Sequence, residues 1–131
     1  MAIFGIGAYY NEDVSTQFVS ADIVGIGWNR QEAPDLHQFL RSLKVGDIIY
    51  IKAHPPGSGL IIKAIGVIVT EDVLSEIETS NLASCARKVR WISKEPFSVP
   101  IPQQKNNVRS NTLYEEFHPI IQQEILRRMF S

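Results

Sequence analysis

The residues with the clearest capacity for chemistry are a tryptophan and an asparagine, Trp28 and Asn29, which follow a short apolar stretch. An indole offers a flat face on which a nucleic-acid base stacks, with a gain of ~1–3 kcal/mol per base. An asparagine amide can hydrogen-bond the edge of a base that has left its strand. Both residues also have structural uses, because a tryptophan after a strand can close a core and asparagine favours turns. The sequence leaves both interpretations open.

A group of basic residues in the last third of the chain is the second chemical feature. Glu95 is the one acidic residue that interrupts it, and an acidic segment at 71–78 precedes it. Such a group can neutralise several phosphates, which predicts a steep dependence of binding on salt. The alternative is an electrostatic contact with another protein, since charge runs are usually solvated faces. We call this group the basic strip; it consists of Arg87, Lys88, Arg90, Lys94, Lys105 and Arg109.

The histidines and the single cysteine give little indication of catalysis. His37, His54 and His118 are far apart and lack the spacing of a metal site. We expect His37 to face solvent, because it lies off the apolar stripe of its predicted helix. Cys85 is predicted to be a buried, unreactive thiol. We therefore expect no catalytic residue, no metal and no cofactor, and we favour a binding protein over an enzyme.

The composition limits the class of protein. The chain has 131 residues, of which 44% are hydrophobic and 21% charged, which is typical of a soluble globular protein, and we predict a single domain at 1–131. We expect no membrane association, because no apolar run approaches the ~20 residues of a spanning helix. One cysteine and the lack of a basic leader predict a cytoplasmic protein. Because the net charge is -1, any site for nucleic acid must be a local patch.

Strands are the main elements that must position these residues. Gly66 lies inside one of them and predicts a bulge or sharp bend. The polar piece at 11–20 is predicted as a loop, with a short turn of helix as the alternative, and the acidic segment 71–78 as a loop or short helix. The predicted strands are 3–10, 22–27, 48–53, 60–70 and 86–94, with an edge strand at 97–101 between prolines.

Two amphipathic helices complete the prediction. The first begins at Pro34 and is expected to end near Lys44, with Gly46 as its left-handed cap. The second is expected to begin at Thr112, whose spacing to Glu115 fits a capping box, with Pro119 as a kink or a restart. The predicted fold class is therefore α+β: a small mixed β-barrel of about five to six strands packed by two helices.

The order of these motifs resembles a known family. The chain runs from a strand into Gly27-Trp28, then through a helix into the turn Lys44-Val45-Gly46-Asp47. An apolar strand, a Pro/Gly loop and a strand containing Ile65-Gly66-Val67 follow. This order resembles the EVE branch of the PUA-like superfamily, whose pseudobarrels are related to YTH domains. The resemblance implies a PUA-like pseudobarrel.

The resemblance also implies a function, the recognition of a modified nucleotide in DNA or RNA by an aromatic pocket beside a basic surface. By this analogy Trp28 is a pocket wall and Asn29 bonds the base edge. Lys52, Ala53 and His54 are then the rim, and Tyr9 or Tyr10 faces Trp28 across the pocket. Several bacterial members resemble modules of modification-dependent restriction systems, which implies a nuclease or other effector protein as a partner.

The sequence leaves two other functions open. The related ASCH branch implies a metal-independent ribonuclease, for which Lys52, Tyr50 and Arg90 would be the active residues. A third interpretation is a protein that sequesters a free nucleotide. The sequence distinguishes neither DNA from RNA nor a polymer from a mononucleotide, and it leaves the oligomeric state open.

Overall fold

The computed structural model describes residues 2–9, 12–53, 59–99 and 112–130. These residues form one sheet and three helices. The helices are α1 (Ser15–Ala21), α2 (Pro34–Ser42) and α3 (Pro119–Met129). The strands are β1 (Ile3–Gly7), β2 (Ile23–Ile26), β3 (Ile48–Ala53), β4 (Leu60–Ser75), β5 (Cys85–Ser93), β6 (Phe97–Val99) and β7 (Leu113–Glu115).

The sheet has the strand order β2-β5-β4-β3-β1-β7, with β6 paired to β4. β1 and β3 are parallel and the other pairs are antiparallel. Within the described residues the two end strands, β2 and β7, do not pair with each other, so the sheet is not a closed ring. The predicted class, an α+β fold built as a small mixed β-barrel packed by helices, is confirmed as a barrel-like fold, although the described residues form seven strands and three helices instead of five to six strands and two helices.

Both faces of the sheet are covered. Along β3, Ile49 and Ile51 join the cluster that contains residues of α1 and α2, whereas Ile48 and Tyr50 join the cluster that contains residues of α3. This alternation follows from the strand geometry, in which successive side chains point to opposite faces. It explains why the strand sequences read as apolar runs. Among the described helices, none has the length and apolar character that crossing a membrane requires.

Ser15–Ala21 forms a helix, so the prediction of a loop is wrong from residue 15 to residue 20. The Asp13 carboxylate accepts hydrogen bonds from the backbone N–H and the hydroxyl of Ser15, at 2.9 and 2.6 Å, and so fixes the start of α1. Phe18 in the middle of α1 is fully buried. A helix of seven residues is stabilised mainly by such packing, which local propensity does not reveal.

β4 is longer than predicted and continues through the acidic segment to Ser75. After a register shift that follows Ile68, Val73 and Leu74 pair with β5, so the expected loop or helix is wrong there. The bulge predicted at Gly66 is confirmed, because the register also shifts between Ile65 and Gly66. A Cβ on Gly66 would lie 2.9 Å from the Trp91 ring, so the missing side chain makes room for the indole.

The C-terminal helix begins later than predicted. Leu113–Glu115 is a strand that pairs with β1, and Glu115 faces Phe4 in that ladder, so the capping box at Thr112 is wrong. The restart at Pro119 is the arrangement that the structure adopts. His118 caps the helix, since its Nδ1 accepts the Ile120 N–H at 3.2 Å.

The turn between α2 and β3 differs from the prediction in one respect. α2 ends at Ser42, and Leu43 is already extended, so Gly46 is not the helix cap. Gly46 has a φ of 95° and belongs to the turn that follows. The Asp47 carboxylate holds this turn by accepting the Lys44 N–H at 2.7 Å and the Ala2 N–H at 3.2 Å. These bonds tie the start of β3 to the N-terminal segment.

Candidate functional site

The backbone around Trp28 is held from two sides. Ser84, just before β5, donates its N–H to the Ile26 carbonyl at 2.8 Å and its hydroxyl to the Gly27 carbonyl at 3.2 Å. His37 in α2 bonds the Trp28 carbonyl through Nε2 at 2.7 Å. The Trp28 side chain is nevertheless 49% exposed. The indole is therefore exposed, while the carbonyl groups of Ile26, Gly27 and Trp28 all accept hydrogen bonds that hold the backbone in place.

His37 is the residue of this region whose position the sequence analysis predicted wrongly. It is 4% exposed, so the prediction that it faces solvent is wrong. Its ring is buried because it packs against the turn that follows β2, and its bond to a carbonyl requires a proton on Nε2. No spacing in the sequence indicates this contact, because it depends on how α2 docks on the end of β2.

Asn29 makes a turn as well as flanking the tryptophan. Its side-chain Oδ1 accepts the Glu32 N–H at 2.9 Å, and its carbonyl accepts the Ala33 N–H at 3.0 Å. The side-chain oxygen of Asn29 therefore stabilises the turn, as the structural interpretation of this residue predicted. The amide NH2, a donor, forms no hydrogen bond within the described residues.

A cleft of about 270 Å³ opens directly beside this turn. Cys85 lies in it, and burial raises the pKa of that thiol, with the positive charges of Arg41 and Arg87 opposing the shift. This agrees with an unreactive cysteine. The cleft is lined by the turn after β2 (Asn29, Arg30), α2 (His37, Arg41), the end of β4 (73–76) and the start of β5 (Ser84, Cys85).

The other residues expected around the pocket lie as follows. Tyr9 is 74% exposed, bridges to Asp13 and has no ring contact with Trp28 in the part of the chain that the structure describes. Lys52 and Ala53 form the half-buried end of β3. Tyr10 and His54 lie outside the described residues.

Lys52 borders a polar cluster on the α3 side of the sheet and is itself half-buried. Its ammonium lies 4.9 Å from the centre of the Tyr114 ring. Tyr50 donates its hydroxyl proton to Glu116 Oε1 at 2.5 Å, and the two tyrosine hydroxyls are 2.7 Å apart. Burial lowers the pKa of Lys52 to about 8, although the Glu116 carboxylate opposes the shift.

This arrangement gives no support to the ribonuclease alternative. Tyr50 is fully buried, and burial raises the pKa of its hydroxyl far above the ordinary value. Arg90 is exposed on β5, which β4 separates from β3. The three residues named for that activity therefore do not meet at a common surface.

Arg87 must be removed from the basic strip. It is 1% exposed, and its guanidinium donates to the carbonyls of Leu40 (3.0 Å), Leu43 (2.6 Å) and Thr70 (2.8 Å). A further contact goes to the Arg41 carbonyl at 3.3 Å. Arg87 thus satisfies carbonyls at the end of α2, where the helix dipole also favours a cation. It is not available to a phosphate.

The other described members of the basic strip are on the surface. Lys88 and Arg90 are exposed because they alternate along β5 with Arg87 and Val89, which are buried. Lys94 is also exposed, and with Arg90 and Trp91 it borders a shallow depression. Lys105 and Arg109 lie outside the described residues.

Comparisons with known proteins place the fold and the family. A search of curated proteins found no match. One solved structure that resembles the chain is the YTH domain of the Zygosaccharomyces rouxii MRB1 protein in complex with N6-methyladenosine RNA. The match has a TM-score of 0.59 and 19% identity, and it covers 99% of this chain and 85% of that one. The fold is therefore YTH-like, as the relation to YTH domains in the sequence analysis implied.

The family assignment rests on most of the chain. A family described as "Domain of unknown function (DUF8426)" matches residues 9–116, which begin just after β1 and end after β7. This range contains Trp28, its supporting residues His37 and Ser84, and the cleft beside them. The chain belongs to the DUF8426 family.

Proposed function

We propose that this protein is a non-enzymatic binding module that recognises a modified base in RNA or DNA. The observation that carries the proposal is the Trp28 indole, which is half exposed on a backbone fixed by His37 and Ser84. Because the support is rigid, stacking a base on this ring costs little ordering of the protein. A modified base keeps its flat face, so the stacking gain of ~1–3 kcal/mol applies to it.

The polar part of recognition is assigned to Asn29. Its NH2 group suits an acceptor atom on the base edge, since its oxygen is already used by the Glu32 N–H. Tyr9, Tyr10, Lys52, Ala53 and His54 are the proposed rim of the pocket. The YTH domain that shares the fold was solved with N6-methyladenosine RNA, which makes N6-methyladenine the first modification to test.

Binding to matched oligonucleotides tests the proposal. Short single-stranded RNA and DNA of one sequence, each with and without one N6-methyladenine, are titrated and followed by fluorescence anisotropy. We expect one modified strand to bind at least about tenfold more tightly than its unmodified twin, which corresponds to ~1.4 kcal/mol. If N6-methyladenine gives no difference, the same titration with methylated cytosines follows. Equal binding of every modified and unmodified pair would contradict the proposal, as would cleavage of the strands in the presence of a chelator.

A further inference from the structure

We infer that the cleft beside Trp28 is a phosphate site, formed by Arg30 and Arg41, for the nucleotide whose base stacks on Trp28. The inference rests on the proposed function and adds the path of the nucleic-acid backbone to it. It moves the main phosphate contacts away from Lys88 and Arg90 on β5 and places them beside the tryptophan.

The two arginines reach the cleft from different elements. Arg30 follows Trp28 by two residues, in the turn that Asn29 organises. Arg41 lies four residues after His37 in α2, and residues four apart share a helix face. Since His37 is bonded to the Trp28 carbonyl at 2.7 Å, this face of α2 is held against the tryptophan turn. Both side chains line the cleft, which is about 270 Å³ in volume.

Neither arginine forms an ion pair with another residue that the structure describes. The ion pairs among the described residues are Lys63 with Asp13 and Arg127 with Glu124, both outside the cleft. Burial raises the pKa of the Cys85 thiol, and the positive charge of Arg41 opposes this shift. The charge of Arg41 is therefore felt at Cys85, which lines the cleft. Two cations that line one small cleft repel each other, and an anion between them relieves that repulsion.

The hydrogen-bonding groups of the cleft favour an anion as well. Asn29 has its oxygen occupied and its NH2 group free of bonds within the described residues. A guanidinium offers several donors in a planar fork that matches a phosphate. Glu76 is the acidic residue among those that line the cleft, and we expect it to keep the anion on the side of Arg30 and Arg41.

A pair of charge-matched double variants tests the inference. One variant carries Arg30→Ala and Arg41→Ala; the control carries Lys88→Ala and Arg90→Ala, which removes the same charge from the exposed face of β5. We expect the first to weaken binding of the preferred single-stranded oligonucleotide at least about tenfold. It should also flatten the plot of log K against log salt by about 0.7, because each neutralised phosphate of a single strand contributes ~0.7. A larger loss in the control than in the first variant would overturn the inference.

Inorganic pyrophosphate separates the inference from the proposed function. We expect pyrophosphate to shift the Nε–H NMR signals of Arg30 and Arg41 more than those of Arg90 and Arg127. If Trp28→Ala leaves oligonucleotide binding intact, the proposed function fails, whereas the pyrophosphate shifts still decide the phosphate site. If Trp28→Ala abolishes binding but neither pyrophosphate nor the oligonucleotide shifts the two arginine signals, the function stands and the inference is overturned.

The same probe identifies the source of the phosphate. Nucleoside 5′-monophosphates are compared with the oligonucleotide in the NMR titration. Equal affinity for both would keep the site and assign it to a free nucleotide. Clearly tighter binding of the oligonucleotide would assign it to a nucleic-acid backbone, which is the outcome we expect.

Discussion

At the scale of single residues, the side chains that the sequence suggested for one role often have another. Trp28 could be predicted as a wall or a core residue, and the structure leaves its ring half exposed. His37, by contrast, is buried against the Trp28 carbonyl, and Arg87 is buried against the carbonyls of α2. Both contacts join residues distant in sequence, so no local pattern reports them. Residue types and their spacing therefore indicated which residues are important, but they did not indicate which atoms those residues contact.

Lys52 gives a prediction at this scale. Its pKa of about 8 in the folded protein lies below the ordinary 10.5 because of burial. Between these two values the unfolded chain binds more protons than the folded protein, so the free energy of unfolding rises with pH in that window. We expect wild-type protein to gain stability from about pH 8 to about pH 10 relative to Lys52→Met, as measured by urea denaturation at several pH values. Parallel pH profiles of the two proteins would contradict the burial of a charged lysine.

At the scale of elements, the least predictable features were short elements that depend on packing or on pairing with distant parts of the chain. The strand at 48–53 was predicted with its observed bounds, because Ile48-Ile49-Tyr50-Ile51 is a dense run of β-forming residues. α1 and β7 were missed, because α1 depends on the packing of Phe18 and β7 on pairing with β1. The bulge at Gly66 was predictable, since glycine within a strand is a local signal.

Arg87 gives a prediction about α2. Replacement by Met keeps the apolar stem but removes the donors to the carbonyls of Leu40, Leu43 and Thr70. We expect Arg87→Met to lower the free energy of unfolding by about 3 kcal/mol or more, because buried carbonyls lose charged donors. Arg90→Met, on the exposed side of the same strand, is the matched control and should change it by less than about 0.5 kcal/mol. Equal effects in urea denaturation would show that Arg87 does not hold the end of α2.

Two glycines of β1 give a second prediction at this scale. A Cβ on Gly5 would lie 2.5 Å from the Tyr114 hydroxyl and 2.7 Å from Tyr50 Cζ, whereas the nearest atom to a Cβ on Gly7 is 3.6 Å away. We expect Gly5→Ala to lower the free energy of unfolding by about 1–3 kcal/mol through overpacking of the two tyrosines. Gly7→Ala should be close to neutral. Thermal unfolding of the two variants compares them, and a neutral Gly5→Ala would mean that the tyrosine pair can shift without cost.

At the scale of the whole molecule, the fold class and the relation to YTH domains were accessible from the order of motifs. Strand, Gly-Trp, helix, Val-Gly-Asp turn and apolar strand follow one another in the sequence as they do in the structure. The strand order of the sheet and the added strand β7 were not accessible, because they arise from pairing between residues distant in the sequence. With a net charge of -1, the protein can attract nucleic acid only through a local surface. We propose the exposed indole and the two arginines beside it as that surface.

The most direct test of the central claim is the affinity of Trp28→Ala for the preferred modified oligonucleotide, measured together with its free energy of unfolding. Phe117→Ala is the matched control, since it removes another exposed aromatic ring, just before α3. We predict that Trp28→Ala binds about tenfold or more weakly, while its free energy of unfolding falls by no more than about 1.5 kcal/mol because half of the residue is exposed. Phe117→Ala should bind as the wild type does. Unchanged affinity of Trp28→Ala, or a loss of stability large enough to place the indole in the core, would contradict the central claim.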